Sequence, residues 1–276
     1  MWVLSWHDEG NAQMSKDKDA AKVAEVAAEQ VGFGIDIGGS GIKGAPVHLR
    51  TGELLTKKFR LPTPAESSPD AVGAVLADVV AHFELPSIAH IGVTFPGIIK
   101  NGVSHSAANV DKRWIDTDVA AVTRRWTGHT AYVANDADAA GYAEVAYGAA
   151  KGKKGTVLVI TLGTGIGSAM IHDGHLIPNF ELGHLEIDGY DAETRAASSV
   201  KEEEGLSYEQ WAVRLQRYFS HVEFLFSPDL FVVGGGVSKD HEKFLPLLDL
   251  KTPIVPAKLR NKAGIVGAAA LAAENA

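Results

Sequence analysis

Two stretches of the sequence place glycines, hydroxyls and an acid where backbone N–H groups could meet an anion. In residues 33–49, FGIDIGGSGIKGAPVHL, an apolar run carrying Asp36 meets Gly38-Gly39-Ser40-Gly41, and a second apolar run then leaves. Gly38 and Gly39 remove side-chain bulk, Ser40 adds a donor, and Asp36 can hold Mg²⁺ or a bridging water beside the same phosphate. A plain β-hairpin with glycines at positive φ is the other reading of this stretch alone. Residues 157–177, VLVITLGTGIGSAMIHDGHLI, repeat the design with Gly163, Thr164 and Gly165 at the turn. Two such units half a chain apart suggest two lobes offering phosphate-facing turns to a shared cleft.

Three further groups carry chemistry. TAYVAND ends a strand in Asn135-Asp136, and the small-residue run ADAAGYAEVAYGAA follows as a helix, so an acid sits where the strand stops and the helix begins. Either Asp136 or Asp138 could serve only as a cap. Glu181 and His184 are three apart around a glycine, a spacing that lets both enter one pocket. SPDLFVVGGGVSK is a buried strand that runs into Gly234-Gly235-Gly236, where backbone could approach a nucleotide.

The elements that must position these groups follow from pattern. Residues 1–32 form an appendage in which AAKVAEVAAEQ reads as a short amphipathic helix. KKFRLPTP reads as a third extended run. A helix follows over Pro69–Phe83, capped by Ser68 and buried along Val72, Val75, Leu76, Val79 and Val80. HIGVTFPGII is a strand that turns at Pro96-Gly97, and the polar loop after it contains Asn109, which could line a site or merely stabilise a turn. Trp211, Leu215, Phe219 and Val222 space as the packed face of a helix, and KEEE as a solvated one. A strand PIVPAKL and a helix AGIVGAAALAA close the chain.

Composition bounds the rest. A chain of 276 residues with 46% hydrophobic content can bury a core as one large domain or two small ones. Net charge −8, from 34 acids against 26 bases, argues against nucleic-acid binding through a broad basic surface. No bilayer-spanning or secretory segment is read, which places the protein in the cytoplasm. With no cysteine, disulfides and Cys-containing zinc sites are excluded. A dinucleotide-binding oxidoreductase is excluded too, because Gly38-Gly39-Ser40-Gly41 is followed by a strand-like run.

In this order, DIGGSGIK, VAND, TLGTGIG, ELGH and VVGGGVSK resemble the ROK family of sugar kinases and repressors, within the actin-like ATPase superfamily, over residues 33–272. The resemblance implies an α/β, two-lobed actin-like ATPase (ribonuclease H-like) fold, with mixed sheets flanked by helices and a central cleft. Its lobes are expected at 33–134 and 135–276, with the C-terminal helix packing back on the first. It implies a hexose kinase for glucose or mannose that uses polyphosphate, ATP or both with Mg²⁺, and a homodimer. The ELGHLEIDGYDAE stretch, GGGVSK and LRNKAGIVGAA are similar to the polyphosphate-using branch.

By the family's pattern Asp136 is the general base. Gly97, Asn109, Asn135, Asp136, Glu181, His184 and Glu193 face the sugar. Asp36, Gly38, Gly39, Ser40, Lys43, Thr161, Gly163, Thr164, Gly165 and Gly234–Gly236 face the phosphates or nucleotide. The family's cysteine-rich zinc loop is replaced by LEIDGYDAETRAAS, so no structural zinc is expected. Cations for a long phosphate polymer would come from among Lys43, Lys151, Lys153, Lys154, Lys201, Lys239, Lys258, Arg260 and Lys262. A sugar-sensing regulator of the same family is the competing expectation, although residues 1–32 are short for a DNA-binding domain.

Overall fold

The computed structural model describes residues 23–83, 91–107 and 110–276. Contacts divide the chain into two units, one running to Ala134 and completed by Ala268–Ala276, the other Asn135–Gly267. Of the helix expected over 20–30, the described residues end in a 3-10 turn at Ala28–Gln30 that hands the chain to the first strand.

The first unit is built on β1 (Val31–Gly38), whose alternation decides both of its faces. Phe33, Ile35 and Ile37 point one way into the core, and Gly32 and Asp36 occupy the other face. β1 pairs antiparallel with β2 (Gly41–His48), which pairs with β3 (Glu53–Leu54) and β4 (Phe59–Leu61). On its other side β1 pairs parallel with β5 (Ile91–Phe95). The hairpin of β6 (Ile99–Lys100) and β7 (Val103–Ser104) follows, and β8 (Ala131–Asn135) completes the order β3-β2-β1-β5-β8.

Helix α1 (Pro69–Ala81) lays Val72, Leu76 and Val79 on the Phe33 face. Its start follows from Ser68, whose Oγ accepts from the N–H of Ala71 at 3.3 Å, with Pro69 in the first turn. α2 (Val119–Thr127) is capped by Asp118 and stopped by Gly128 at φ 76°. Against the glycine face lies the final helix, so Gly32 and Gly92 meet Ala268 and Ala269 backbone to backbone.

The second unit repeats the plan. α3 (Asp136–Ala146) leads to β9 (Thr156–Leu162), β10 (Ile166–His172) and β11 (His175–Ile177), an antiparallel run. A short hairpin, β12 (Glu186–Ile187) and β13 (Tyr190–Asp191), precedes α4 (Glu193–Ala196), α5 (Ser198–Glu203) and α6 (Tyr208–Phe226). β14 (Leu230–Gly234) and β15 (Ile254–Pro256) then add parallel to β9, for the order β11-β10-β9-β14-β15. α7 (Ala263–Glu274) ends the chain.

Alternation again assigns faces. Leu158, Ile160 and Leu162 pack on Trp211, Leu215, Phe219 and Val222 of α6, whereas Val157 and Val159 face Val145 and Ala150 at the end of α3. Each large side chain so buried contributes roughly 2 kcal/mol. A Ser207–Gln210 capping box starts α6, and Glu202–Glu204 stay exposed. Mixed α/β units with these strand orders are the actin-like fold expected of the sequence.

Gly92 offers a clean test of the packing, because a Cβ there would land on the carbonyl of Ala268. Gly92→Ala is expected to cost about 2 kcal/mol or more in urea unfolding. An unchanged midpoint would show that the final helix does not rest on β5.

Candidate functional site

The first unit concentrates its polar chemistry at the β1–β2 turn. Asp36 and Thr94 are register partners on adjacent strands, so both stand on the glycine face, and Thr94 Oγ1 donates to Asp36 Oδ1 at 2.9 Å. Lys43 Nζ meets Asp36 Oδ2 at 2.9 Å, so Lys43 holds the acid directly. Arg60 Nη2 donates to the carbonyl of Ser40 at 2.6 Å and reaches its Oγ at 3.4 Å, and Thr63 Oγ1 donates to the carbonyl of Gly38 at 2.5 Å. Lys58 stands close by. Burial first, then the charge of Lys43, pulls its pKa below the usual lysine range, with Asp36 opposing. Three cations beside an exposed Gly39-Ser40 tip make an anion-directed turn.

The turn glycines do not adopt the positive φ that a plain hairpin reading expects. Their role is room: a side chain on Gly41 would occupy the guanidinium of Arg60. Gly97 is held by its N–H to the carbonyl of Phe95 at 2.9 Å, and it packs on the backbone of Ser106. Asn109 lies outside the described residues.

The second unit assembles the remaining residues. Asn135, not either aspartate, caps α3: its Oδ1 accepts from the N–H groups of Ala137 at 2.8 Å and Asp138 at 3.1 Å. Asp136 therefore takes the first helical position, exposed, while Asp138, about 200° around the helix, turns inward. Ala137 packs on Gly167, which pairs with Thr161 across β9 and β10. That contact sets the start of α3 at the base of the hairpin whose tip is Gly163-Thr164-Gly165.

The tip is braced from below. Ser198 Oγ donates to the Gly163 carbonyl at 3.0 Å and Ser199 Oγ to the Thr164 carbonyl at 2.7 Å. Above Gly163 and Gly236 there is open space where a side chain would stand. Gly234 packs on Thr161, and Gly235, at φ 85°, lies on the backbone of Leu162.

Glu193, His184 and Glu181 gather beside this turn. Glu193 Oε2 accepts from the N–H of Ile166 at 3.0 Å and fills the space that a side chain on Gly165 would need. His184 Nδ1 lies 2.8 Å from Asp191 Oδ2 and 3.9 Å from Glu193 Oε1. The hydrogen bond to Asp191 raises the His184 pKa, helped by Glu193 and Glu181. Glu181 is raised by partial burial and by Glu193, against the pull of His184. Ser168 Oγ donates to the Phe180 carbonyl at 2.7 Å and accepts from the Leu182 N–H at 2.9 Å, which stitches the Glu181 segment to β10. The ligand atoms of His184, Asp191 and Glu193 all lie within 4.8 Å of one another. Among the described residues this is the cluster whose spacing could take a cation.

Several of these residues carry no sequence signal strong enough to single them out. Arg60, Thr63 and Thr94 come to the first turn through strand pairing, and Ser198, Ser199 and Asp191 to the second through the β12–α5 connection. Asp138 could have been found, since two aspartates two apart on a helix cannot share a face. It is 1% exposed; Oδ2 accepts from the Asn179 N–H at 2.8 Å, and Oδ1 has no hydrogen-bond partner. Burial, with smaller contributions from Glu181 and Asp136, raises its pKa to about 7.

A model of the ROK family matches residues 32–198. Polyphosphate glucokinase of Mycobacterium tuberculosis is 48% identical over 256 residues, 92% of this chain and 96% of that protein. The crystal structure of inorganic polyphosphate/ATP-glucomannokinase from Arthrobacter sp. strain KM is 58% identical, with a TM-score of 0.85 over 89% of this chain and 99% of that one. A ROK family glucokinase from Streptomyces griseus, solved with glucose and AMPPNP, shares the fold at a TM-score of 0.75 and 22% identity, over 88% and 99% of the two chains.

Asp138 generates a pH prediction. Its folded pKa of about 7 exceeds its ordinary 3.8, so the folded state binds the extra proton and stability falls as pH rises from about 4 to about 7. Asp138→Asn removes that loss. Its stability gain over wild type is expected to be small at pH 4 and to grow to as much as about 4 kcal/mol above pH 7. Thermal unfolding across this range checks it; a gain independent of pH counts against a buried, proton-binding Asp138.

Proposed function

The chain belongs to the ROK family, and on that premise we propose that it is a hexose kinase that transfers a phosphoryl group from inorganic polyphosphate or ATP to the 6-hydroxyl of glucose. The relatives at 48% and 58% identity are named a polyphosphate glucokinase and an inorganic polyphosphate/ATP-glucomannokinase. The observation that carries the reading is the seat of Asp136: the first residue of α3, exposed, on a helix start that Ala137 anchors to the hairpin of the second glycine turn.

A sugar hydroxyl stays protonated at neutral pH and attacks poorly. Asp136 accepts its proton as the new O–P bond forms and the donor's bridging P–O bond breaks, releasing ADP or a polyphosphate one unit shorter. Asn135, Glu181, His184 and Glu193 offer the fan of donors and acceptors that a hexose ring needs, with Asn109 and the backbone at Gly97 assigned alongside them. The N–H groups at Gly163–Gly165 and Gly38–Ser40, with Lys58 and Arg60 behind the latter, suit the phosphate oxygens. Gly234–Gly236, open on one side, suit the nucleoside.

Asp36 presents hard carboxylate oxygens on a partly exposed face beside the first turn, a donor type that fits Mg²⁺. Bound there with the donor, Mg²⁺ would neutralise phosphate charge. The chain has no cysteine for a thiolate zinc site, and His184 is engaged by Asp191. Mannose as a second acceptor, a homodimeric state and a cytoplasmic location belong to the same proposal. Among the described residues no helix is long and apolar enough to cross a membrane.

A coupled glucose 6-phosphate assay with ATP and with polyphosphate tests the reaction, and inertness with both donors across glucose and mannose would remove it. Glucose binding without turnover in the wild-type chain would favour the regulator instead. Asp136→Asn is expected to bind glucose normally and to lose about 10²- to 10⁴-fold in kcat. Wild-type turnover in that variant would mean that another group takes the proton.

A further inference from the structure

β9, β14 and β15 are parallel, so the three loops that leave their C-terminal ends rise from one edge of the second sheet. In order across that edge come Gly163–Gly165, Gly234–Gly236 and the segment 257–262. Only the first two have a use in the reaction above. Gly235 rests on Leu162, and Ser238 Oγ donates to the Gly235 carbonyl at 2.7 Å, so backbone contact runs from the glycine turn to Ser238 without a break.

Beyond Ser238 the edge opens into a groove of about 670 Å³, lined by His241, Pro256, Lys258, Arg260 and Lys262 among others. No carboxylate lines it. Lys258 and Arg260 are exposed and Lys262 is half-buried, and among the described residues none of the three has an acid within ion-pair distance. Three other cations of this unit are matched, Arg214 by Glu204, Arg217 by Asp188 and Lys243 by Asp240, whereas the groove gathers three that are not. In a chain of net charge −8, three unmatched cations in one concavity reverse the local field.

The walls are tied together from inside. Glu144, 1% exposed, accepts from the N–H groups of Ala149 at 2.7 Å, Lys258 at 3.1 Å and Leu259 at 2.6 Å. A buried carboxylate fully engaged by backbone holds both sides of the groove and leaves the cations outside it uncancelled. Gly148 is required beside it, since a Cβ there would enter the carboxylate. The wall at Ala149 continues into Lys151, Lys153 and Lys154, all exposed.

We propose that this groove binds the far phosphates of a linear polyphosphate donor, those that are not transferred, while the reacting end lies at Gly163–Gly165. It rests on the polyphosphate reading given above. Two strand spacings, about 10 Å, separate β9 from β15, so a polyanion of several units spans the edge, and each cation it meets adds to affinity by releasing counter-ions. ATP carries its charge near the glycine turns and draws little from the groove.

The test compares the full-length wild type with the triple variant Lys258→Gln, Arg260→Gln, Lys262→Gln, and with Arg260→Gln alone should the triple variant lose its ATP-driven rate. Calorimetry with inorganic polyphosphate of defined chain length reads binding, and steady-state kinetics read KM. The triple substitution is expected to raise Kd and KM for polyphosphate at least tenfold and to flatten their salt dependence. KM for ATP and glucose, and kcat with ATP, should stay within twofold. Unchanged polyphosphate affinity, an equal loss for ATP, or a wild type that binds no polyphosphate overturns the proposal. Polyphosphate that binds through these three residues yet yields no glucose 6-phosphate upholds the groove and defeats the donor assignment. Polyphosphate turnover indifferent to the substitutions does the reverse.

Discussion

The cap that Asn135 places on α3 is the constraint from which the site follows. Its Oδ1 takes two of the four N–H groups that a helix start leaves unpaired, which makes Asp136 the first helical residue. Once that register is set, the 3.6-residue period sends Asp136 and Asp138 to different faces: one exposed, the other buried with a raised pKa. The close contact of Ala137 with Gly167 then ties the helix start to the second glycine turn. A longer side chain at 167 would push the carboxylate off its seat, since the pairing of Gly167 with Thr161 leaves the strand no room to retreat.

Glycine does two kinds of work here. At Gly235, φ 85° is a conformation that a side chain would strain, and the glycine lets β14 fold back on Leu162. In the two glycine turns φ is ordinary, and the glycines serve approach instead: Arg60 comes to Gly41, and Glu193 to Gly165. The second case matters more for chemistry, because it lets a charged side chain stand against the turn's own backbone. Around the first turn these charges are Lys43, Lys58 and Arg60. Beside the second stand Glu193, His184 and Asp191.

Net charge therefore says little about what the protein can hold. The whole chain is acidic, yet the first turn and the edge beyond Gly236 are locally cationic, and the buried charge of Glu144 is absorbed by three N–H groups. A field a few ångströms across is set by the nearest groups and the low-dielectric walls around them. Composition averages over both.

The sequence alone determined what depends on local period and backbone chemistry. Alternation in FGIDIG puts Asp36 on the face opposite Phe33, Ile35 and Ile37, and the spacing of Trp211, Leu215, Phe219 and Val222 marks the buried face of α6. The two glycine turns and the strand-to-helix junction at Asn135 are legible for the same reason: each needs residue types that only a neighbour or two can dictate. Tertiary structure decided everything that depends on chain segments meeting across distance. Thr94 reaches Asp36, Arg60 reaches Ser40, Asp191 engages His184, and Glu144 joins Ala149 to Lys258. Such meetings are set by sheet order and register, and the folded chain orders its strands by the burial of whole faces, a quantity no short window of sequence contains.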